Sequence, residues 1–192
     1  MKKRIGLGRA KLEADSQRLM DIISGTVQHK NLIIFHIGKE YWALPLEQVI
    51  QVLRASKYTI YKDISDVDLI RGYIFIRQKA IPIISIHKFL GLDTIEDIDI
   101  WTSILICKAG NLRFGLLSEN VLEVSPILRE NSLGKIPIKL LDKHKKIITG
   151  TLAWRDKPVI ILDLQEFFAP EDIDLLIEES NKVESEYKEE DV

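Results

Sequence analysis

A gapless internal repeat constrains the fold of this chain more than any other feature. The segment IIFHIGKEYWALPLEQVIQV (Ile33 to Val52) superposes on LICKAGNLRFGLLSENVLEV (Leu105 to Val124) after a shift of 72 residues, with 6 of 20 pairs identical. A second segment, IRGYIFIRQKAIPIISIHKFL (Ile70 to Leu90), superposes on ITGTLAWRDKPVIILDLQEFF (Ile148 to Phe168) after a shift of 78. Its identities include Gly72/Gly150, Arg77/Arg155 and Lys79/Lys157, and most other pairs are apolar against apolar. Solenoid periods are shorter, roughly 20–50 residues. The chain therefore reads as two similar halves.

Within each half the apolar runs are short, rich in Ile, Val and aromatics, and bounded by turn residues. Gly38-Lys39 joins Leu32 to Ile37 with Tyr41 to Pro45, and Gly110-Asn111 joins Ser103 to Lys108 with Leu112 to Leu117. Arg155-Asp156-Lys157 joins Ile147 to Trp154 with Pro158 to Leu162. Joins this short suit antiparallel hairpins, and no run precedes a helix long enough for a βαβ unit. About five short antiparallel strands per half suffice for a small closed barrel, which removes exposed apolar edges. His87 to Leu90 and Gln165 to Phe168 read as helical turns closing the halves. A last helix starts at Ala169-Pro170-Glu171-Asp172, with proline early and acids in the first turn. It turns Ile173, Leu176 and Ile177 inward and is expected to dissolve into the tail NKVESEYKEEDV, which reads as too polar to bury anything.

At the other end Leu12, Leu19, Ile23 and Val27 fall near helical spacing. Residues 1–30 read as a partly helical extension that either covers a barrel end or docks on a partner. The body spans 31–168, with halves at about 31–90 and 103–168, and residues 169–192 form the C-terminal helix and acidic tail.

Charge excludes several function classes. A formal net charge of −2 gives no electrostatic reason to expect nucleic acid or anionic lipid. The imbalance sits at the ends: residues 1–30 hold seven Lys/Arg against three Asp/Glu, and 171–192 hold ten Asp/Glu against two Lys. Cys107 is the only cysteine, so an intrachain disulfide and a cysteine zinc cluster are impossible. In the run ILIC it reads as a buried, inert thiol. No apolar run reaches the ~18 residues of a membrane span, and no secretory signal pattern opens the chain. A cytoplasmic protein is expected.

Catalytic chemistry lacks its residues. Phosphate-binding loops, HExxH and GxSxG are absent. His29, His36, His87 and His144 are scattered, and His36 reads as solvent-facing in a strand. Ser85 and Ser118 have no histidine close enough in sequence to suggest a triad. Asp163 is the second-half counterpart of Ser85, so the repeat preserves no carboxylate there. No enzyme activity, cofactor or metal is expected. Surface apolarity says more. Val49 and Val52 lie three apart, as do Val121 and Val124. Either all four belong to the core, or one of each pair points outward, or the strands bulge. An outward set would form an apolar groove suited to a helix. Arg71, Arg77, Lys79 and Lys88 make the first long hairpin basic, and an arginine beside apolar strands is a common interface hot spot.

The pieces FHIGKEYWALPLEQVIQVLR, VDLIRGYIFIRQKAIPIISIHKFLGL, FGLLSENVLEV and ITGTLAWRDKPVIILDLQEFF, in that order, resemble the CheW family of bacterial chemotaxis adaptors from about Asn31 to Phe168. The resemblance implies an all-β fold of two intertwined five-stranded small β-barrels with short helices and a C-terminal helix. It also implies a non-catalytic scaffold that joins the cytoplasmic tips of methyl-accepting chemoreceptors to the regulatory domain of a CheA-type histidine kinase at membrane-associated arrays, without inserting into the membrane. Carried over by position, the receptor groove involves Ile33, Leu46, Val49, Val52, Val121 and Val124, and the kinase/receptor interface involves Arg71, Gly72, Ile76 and Arg77. Four departures stand in the first half. Gln78 replaces a glycine, Ser85 and His87 replace the usual Asp and Arg, and Gln51 stands where an acid is common, whereas Glu119 keeps the second-half acid. They fit a specialised paralogue, or an adaptor of another two-component pathway such as twitching motility.

Overall fold

The central strands are buried on both faces, one turned to the interior of their own sheet and the other to a core between the two sheets. In the computed structural model, which describes residues 31–62, 70–92, 97–126, 147–165 and 167–190, the first half supplies β1 (Asn31–Ile37), β2 (Glu40–Pro45), β3 (Val49–Arg54), β4 (Ile70–Ile76), β5 (Lys79–Ile84) and the short helix α1 (Ile86–Leu90). The second half supplies β6 (Ser103–Ala109), β7 (Leu112–Ser118), β8 (Val121–Pro126), β9 (Ile148–Trp154), β10 (Lys157–Leu162) and the helix α2 (Pro170–Glu190). The expected N-terminal helix, with His29 and His144, lies outside the described residues.

The strands form two five-stranded sheets, ordered β8-β1-β2-β10-β9 and β3-β6-β7-β5-β4, called here the first and second sheets. The repeat pairs β1 with β6, β2 with β7, β3 with β8, β4 with β9 and β5 with β10. Exchanging partners turns one strand order into the other, so a pseudo-twofold axis relates the sheets. Each half supplies five strands, as expected, but neither sheet coincides with a half of the sequence: the sheets are intertwined, as the resemblance implies, and do not form one barrel per half. Each sheet takes strands from both halves and joins them twice, by an antiparallel pairing (β1 with β8, β3 with β6) and by a parallel one (β2 with β10, β5 with β7). Those neighbours are distant in sequence, so their pairing needs no tight turn and short joins leave no trace of it.

Alternate side chains of the central strands serve different cores. Leu32 and Ile34 of β1 pack inside the first sheet with Ala43, Val159 and Ile161. Ile104 and Ile106 of β6, their repeat partners, pack inside the second with Leu53, Ile81 and Ile83. The intervening Ile33, Phe35 and Ile37, with Leu105, Cys107 and Ala109, meet in a shared core between the sheets. Hence these strands read as continuous apolar runs rather than alternating ones.

The turn expected at Gln165 to Phe168 is described except for Glu166: the Phe167 N–H donates to the Leu164 carbonyl at 3.2 Å, and Phe167 packs against Phe89 and Phe168. One local expectation changes: α2 does not dissolve after Ile177 but continues to Glu190. Leu176, Ser180, Val183, Glu184 and Tyr187 recur at helical spacing on one face. Val183 is 2% exposed beside Tyr73 and Ala80. Tyr187 stacks on Phe75 with centroids 3.8 Å apart and planes 20° from parallel. Position, not average polarity, decides burial here. Among the described residues no helix is long and apolar enough to cross a membrane.

Candidate functional site

Strands β3 and β8 each form an outer edge of their sheet, and each carries a bulge at the same repeat position. Val49 pairs with Cys107 and Gln51 with Ile106, leaving Ile50 unmatched. Val121 pairs with Phe35 and Glu123 with Ile34, leaving Leu122 unmatched. The extra residue reverses the strand's phase. Val49 and Val52 therefore lie opposite Cys107 and Leu105, both shared-core residues. Val121 and Val124 lie opposite Phe35 and Ile33, which also belong to that core. Of the readings left open by the sequence, the bulge is the one the structure adopts.

The six expected groove residues divide by depth. Ile33 is 2% exposed and lies within the core, because β1 is flanked by β2 and β8; it underlies the surface and does not line it. Leu46, Val49 and Val121 are half-buried against the shared core. Val52 and Val124 are outermost, at 41% and 51% exposed. The shared core thus emerges at two matched edges as apolar strips.

The β4–β5 hairpin holds the other expected residues. Its turn places Arg77 at φ 50° and Gln78 at φ 65°, and the repeat partners Arg155 and Asp156 adopt φ 49° and 61°. Both are two-residue turns of the type that asparagine and glycine favour. Gln78, where the resemblance implies a glycine, is held in the left-handed region like Asp156 at the repeat position. Arg77 is exposed and Ile76 half-buried. Arg71 sits at a bulge between Ile70 and Gly72, half-buried, where desolvation lowers the pKa of its guanidinium. Gly72 is buried rather than surface-forming. At φ 150° it lies against Tyr61, whose carbonyl would stand 2.4 Å from an added Cβ. Its glycine serves a close backbone approach.

The sequence did not point to Glu184. Its carboxylate, 8% exposed by residue, accepts from the Ala80 N–H at 3.1 Å and from Lys79 Nζ at 2.8 Å. α2 is thereby fastened to the hairpin that carries Arg77. The signal available was the spacing of Leu176, Ser180, Val183 and Tyr187 through the acidic tail.

Two polar joints tie the halves where the chain crosses between sheets. Glu119, on the β7–β8 corner, accepts from the Gly38 N–H at 2.8 Å and meets buried His87 Nε2 at 2.9 Å. Burial opposes ionisation of Glu119, but hydrogen bonds from His87 and from backbone N–H groups, with the His87 charge, hold its carboxyl below the ordinary range. At the related corner Gln48 donates to Asp163 Oδ1 at 2.7 Å and accepts from the Leu164 N–H at 2.9 Å. His87 and Glu119 are thus structural partners. The Ser118 hydroxyl donates to the His36 and Asn120 carbonyls, and burial raises the pKa of the Cys107 thiol. None of these groups forms a nucleophile–base pair. No metal-binding group of three or more ligands occurs among the described residues.

The CheW-like domain model matches residues 31–171. The chain belongs to the CheW-like domain family. A similar solved structure is the crystal structure of the scaffolding protein TtCheW from Thermoanaerobacter tengcongensis, with a TM-score of 0.61 and 27% identity over 74% of this chain and 89% of that one. No curated protein matches. The family is one of chemotaxis scaffolds and adaptors rather than enzymes.

Proposed function

We propose that this CheW-like chain couples the cytoplasmic tips of methyl-accepting chemoreceptors to the regulatory domain of a CheA-type histidine kinase. The observation that carries the reading is the pair of matched bulges. They bring Val52 and Val124 outward on the same faces as the shared core, giving an amphipathic helix apolar ground on both edges. The β4–β5 hairpin, with exposed Arg77 at its turn and half-buried Arg71 and Ile76 on β4 beside the structural Gly72, supplies a second surface for the kinase. Such an adaptor acts by placement: it fixes one partner relative to the other, and coupling free energies of about 1–3 kcal/mol are typical of such links. Weak single contacts suffice where many receptors share one array.

A pull-down of the full chain with a kinase regulatory domain and a receptor-tip fragment tests this. Val52→Asp and Val124→Asp are expected to keep the far-UV circular dichroism of the parent and to lose the receptor fragment. Arg77→Glu is expected to weaken the kinase domain. Retention of both partners by all three folded variants sinks the assignment.

A further inference from the structure

The pseudo-twofold axis allows each sheet's mouth to be compared with its counterpart, and the two mouths are finished differently. At the mouth of the first sheet Trp154 donates through Nε1 to Glu123. Arg155 reaches the same carboxylate at 2.6 Å and lies 4.6 Å over the Trp154 ring. Tyr41 also packs against Trp154, with ring centroids 5.6 Å apart. The four side chains form a plug that links the sheet's two outer strands, β8 and β9.

The repeat places Gln51 where Glu123 stands, Ile76 for Trp154, Arg77 for Arg155 and Arg113 for Tyr41. The carboxylate and both large rings are gone, while the arginine remains and a second is added. In place of a plug there is a cleft of about 890 Å³ lined by these four residues, with Ile50 and Tyr58 among the others. Lys79 on its wall is neutralised by Glu184. Neither Arg77 nor Arg113 has a side-chain partner among the described residues.

We infer that the open mouth of the second sheet is a docking cleft for an acidic amphipathic segment of a partner protein. The partner's carboxylate pairs with Arg77 as Glu123 pairs with Arg155 in the first sheet, in a cleft that Arg113 also lines. Its neighbouring apolar side chain takes the place of Trp154, against Ile50, Ile76 and Tyr58. Three observations select this occupant: two arginines without side-chain partners on one cleft, apolar walls, and the Arg155–Glu123 contact at the equivalent arginine of the same molecule. α2, itself an acidic helix, already lies along the rim through Glu184. The cleft shares Ile76 and Arg77 with the hairpin surface proposed above for the kinase, and the inference names the chemistry of the segment it takes without depending on that assignment.

Anisotropy titrations of the full chain test it. The probe is a fluorescein-labelled Glu/Leu peptide with leucines at helical spacing, and its Gln/Leu analogue is the control. The Glu peptide is expected to bind at least about tenfold more tightly than the analogue, with the preference lost on adding salt. Gln51→Glu restores the carboxylate in cis, so it is expected to raise the melting temperature and to displace the Glu peptide by a similar factor. Arg77→Gln and Arg113→Gln are each expected to weaken the peptide. Equal binding of both peptides overturns the inference, as does a stabilised Gln51→Glu variant that binds like the parent. Self-association in sedimentation with no peptide binding also overturns it, giving the cleft to a second copy. A successful kinase–receptor pull-down with a flat titration removes this inference alone; peptide binding with a failed pull-down removes the adaptor reading alone.

Discussion

Glu184→Ala is the substitution that most directly probes how α2 is held over the β4–β5 hairpin. The Ala80 N–H donates to Glu184, and Ala80 is buried, so truncation strands a backbone donor away from water. An orphaned buried N–H costs about 1–3 kcal/mol. The ion pair adds little, because the Lys79 side chain is 68% exposed and such surface pairs are worth about 0–1 kcal/mol. Glu184→Ala is therefore expected to cost about 2–3 kcal/mol. Glu184→Gln, which keeps a carbonyl oxygen for Ala80, and Lys79→Ala are expected to cost about 1 kcal/mol or less each. Urea denaturation followed by circular dichroism gives the three values. Native-state hydrogen exchange at the Ala80 amide should quicken in the Ala variant only. If Lys79→Ala costs as much as Glu184→Ala, or Gln as much as Ala, the backbone hydrogen bond does not fasten the helix and the reasoning fails.

Three further outcomes follow from the same geometry. An alanine Cβ at Gly115 would meet Ile83 Cδ1 at 2.6 Å and Ile104 Cγ2 at 2.8 Å; Gly115→Ala should cost about 1–3 kcal/mol. Adding Ile83→Val, which deletes the first clashing methyl, should recover part of that loss in a urea double-mutant cycle, whereas strict additivity of the two costs speaks against the clash. Gln78→Gly should stabilise by about 1 kcal/mol, since a left-handed side chain costs about 1–2 kcal/mol and glycine returns part of the gain through unfolded-chain entropy. Asp156→Gly should gain less, because aspartate tolerates that region better; a fall in melting temperature for Gln78→Gly contradicts the turn assignment. The Glu119 carboxyl is held below its ordinary range, so the unfolded chain binds its proton first as pH falls. Its contribution is fully present above the unfolded pKa and disappears as pH drops through the folded one. Melting curves of Glu119→Gln should accordingly converge on those of the parent under acid conditions and diverge toward neutrality.

How much of this was legible in sequence depended on how local each signal was. Hairpins announced by Gly38-Lys39 and Gly110-Asn111 formed where their turn residues stand, because turn chemistry acts over a few residues. The parallel pairings of β2 with β10 and β5 with β7 left no such mark; they follow from long-range packing. The spacing of Val49 and Val52 posed the right question, but only the register against Cys107 and Leu105 answers it. Ile33 looked like its neighbours in a uniform apolar run, and its depth comes from strands on either side. The acidic tail misled because its mean polarity hid the stripe through Val183 and Tyr187.

Where the two halves keep the same side chains, they maintain the fold; where they diverge at equivalent positions, the repeat itself supplies the control. The bulges at Ile50 and Leu122 recur, as do the left-handed turns at Arg77 and Arg155, so both belong to the architecture. The joints are built from neighbouring rather than equivalent residues: Glu119 meets an imidazole at one corner and Gln48 a carboxylate at the other, and both sit where the chain passes from one sheet to the other. Hydrogen bonds to charged groups are worth about 1.5–3 kcal/mol, the scale of a typical coupling between sites. A joint of that strength holds the sheets in one relation yet remains within reach of a partner's binding energy. If the chain couples two partners as proposed, weakening the joint should alter how a signal passes between their surfaces before it alters affinity at either. That ordering separates a coupling protein from a passive bridge, whose output would follow occupancy alone.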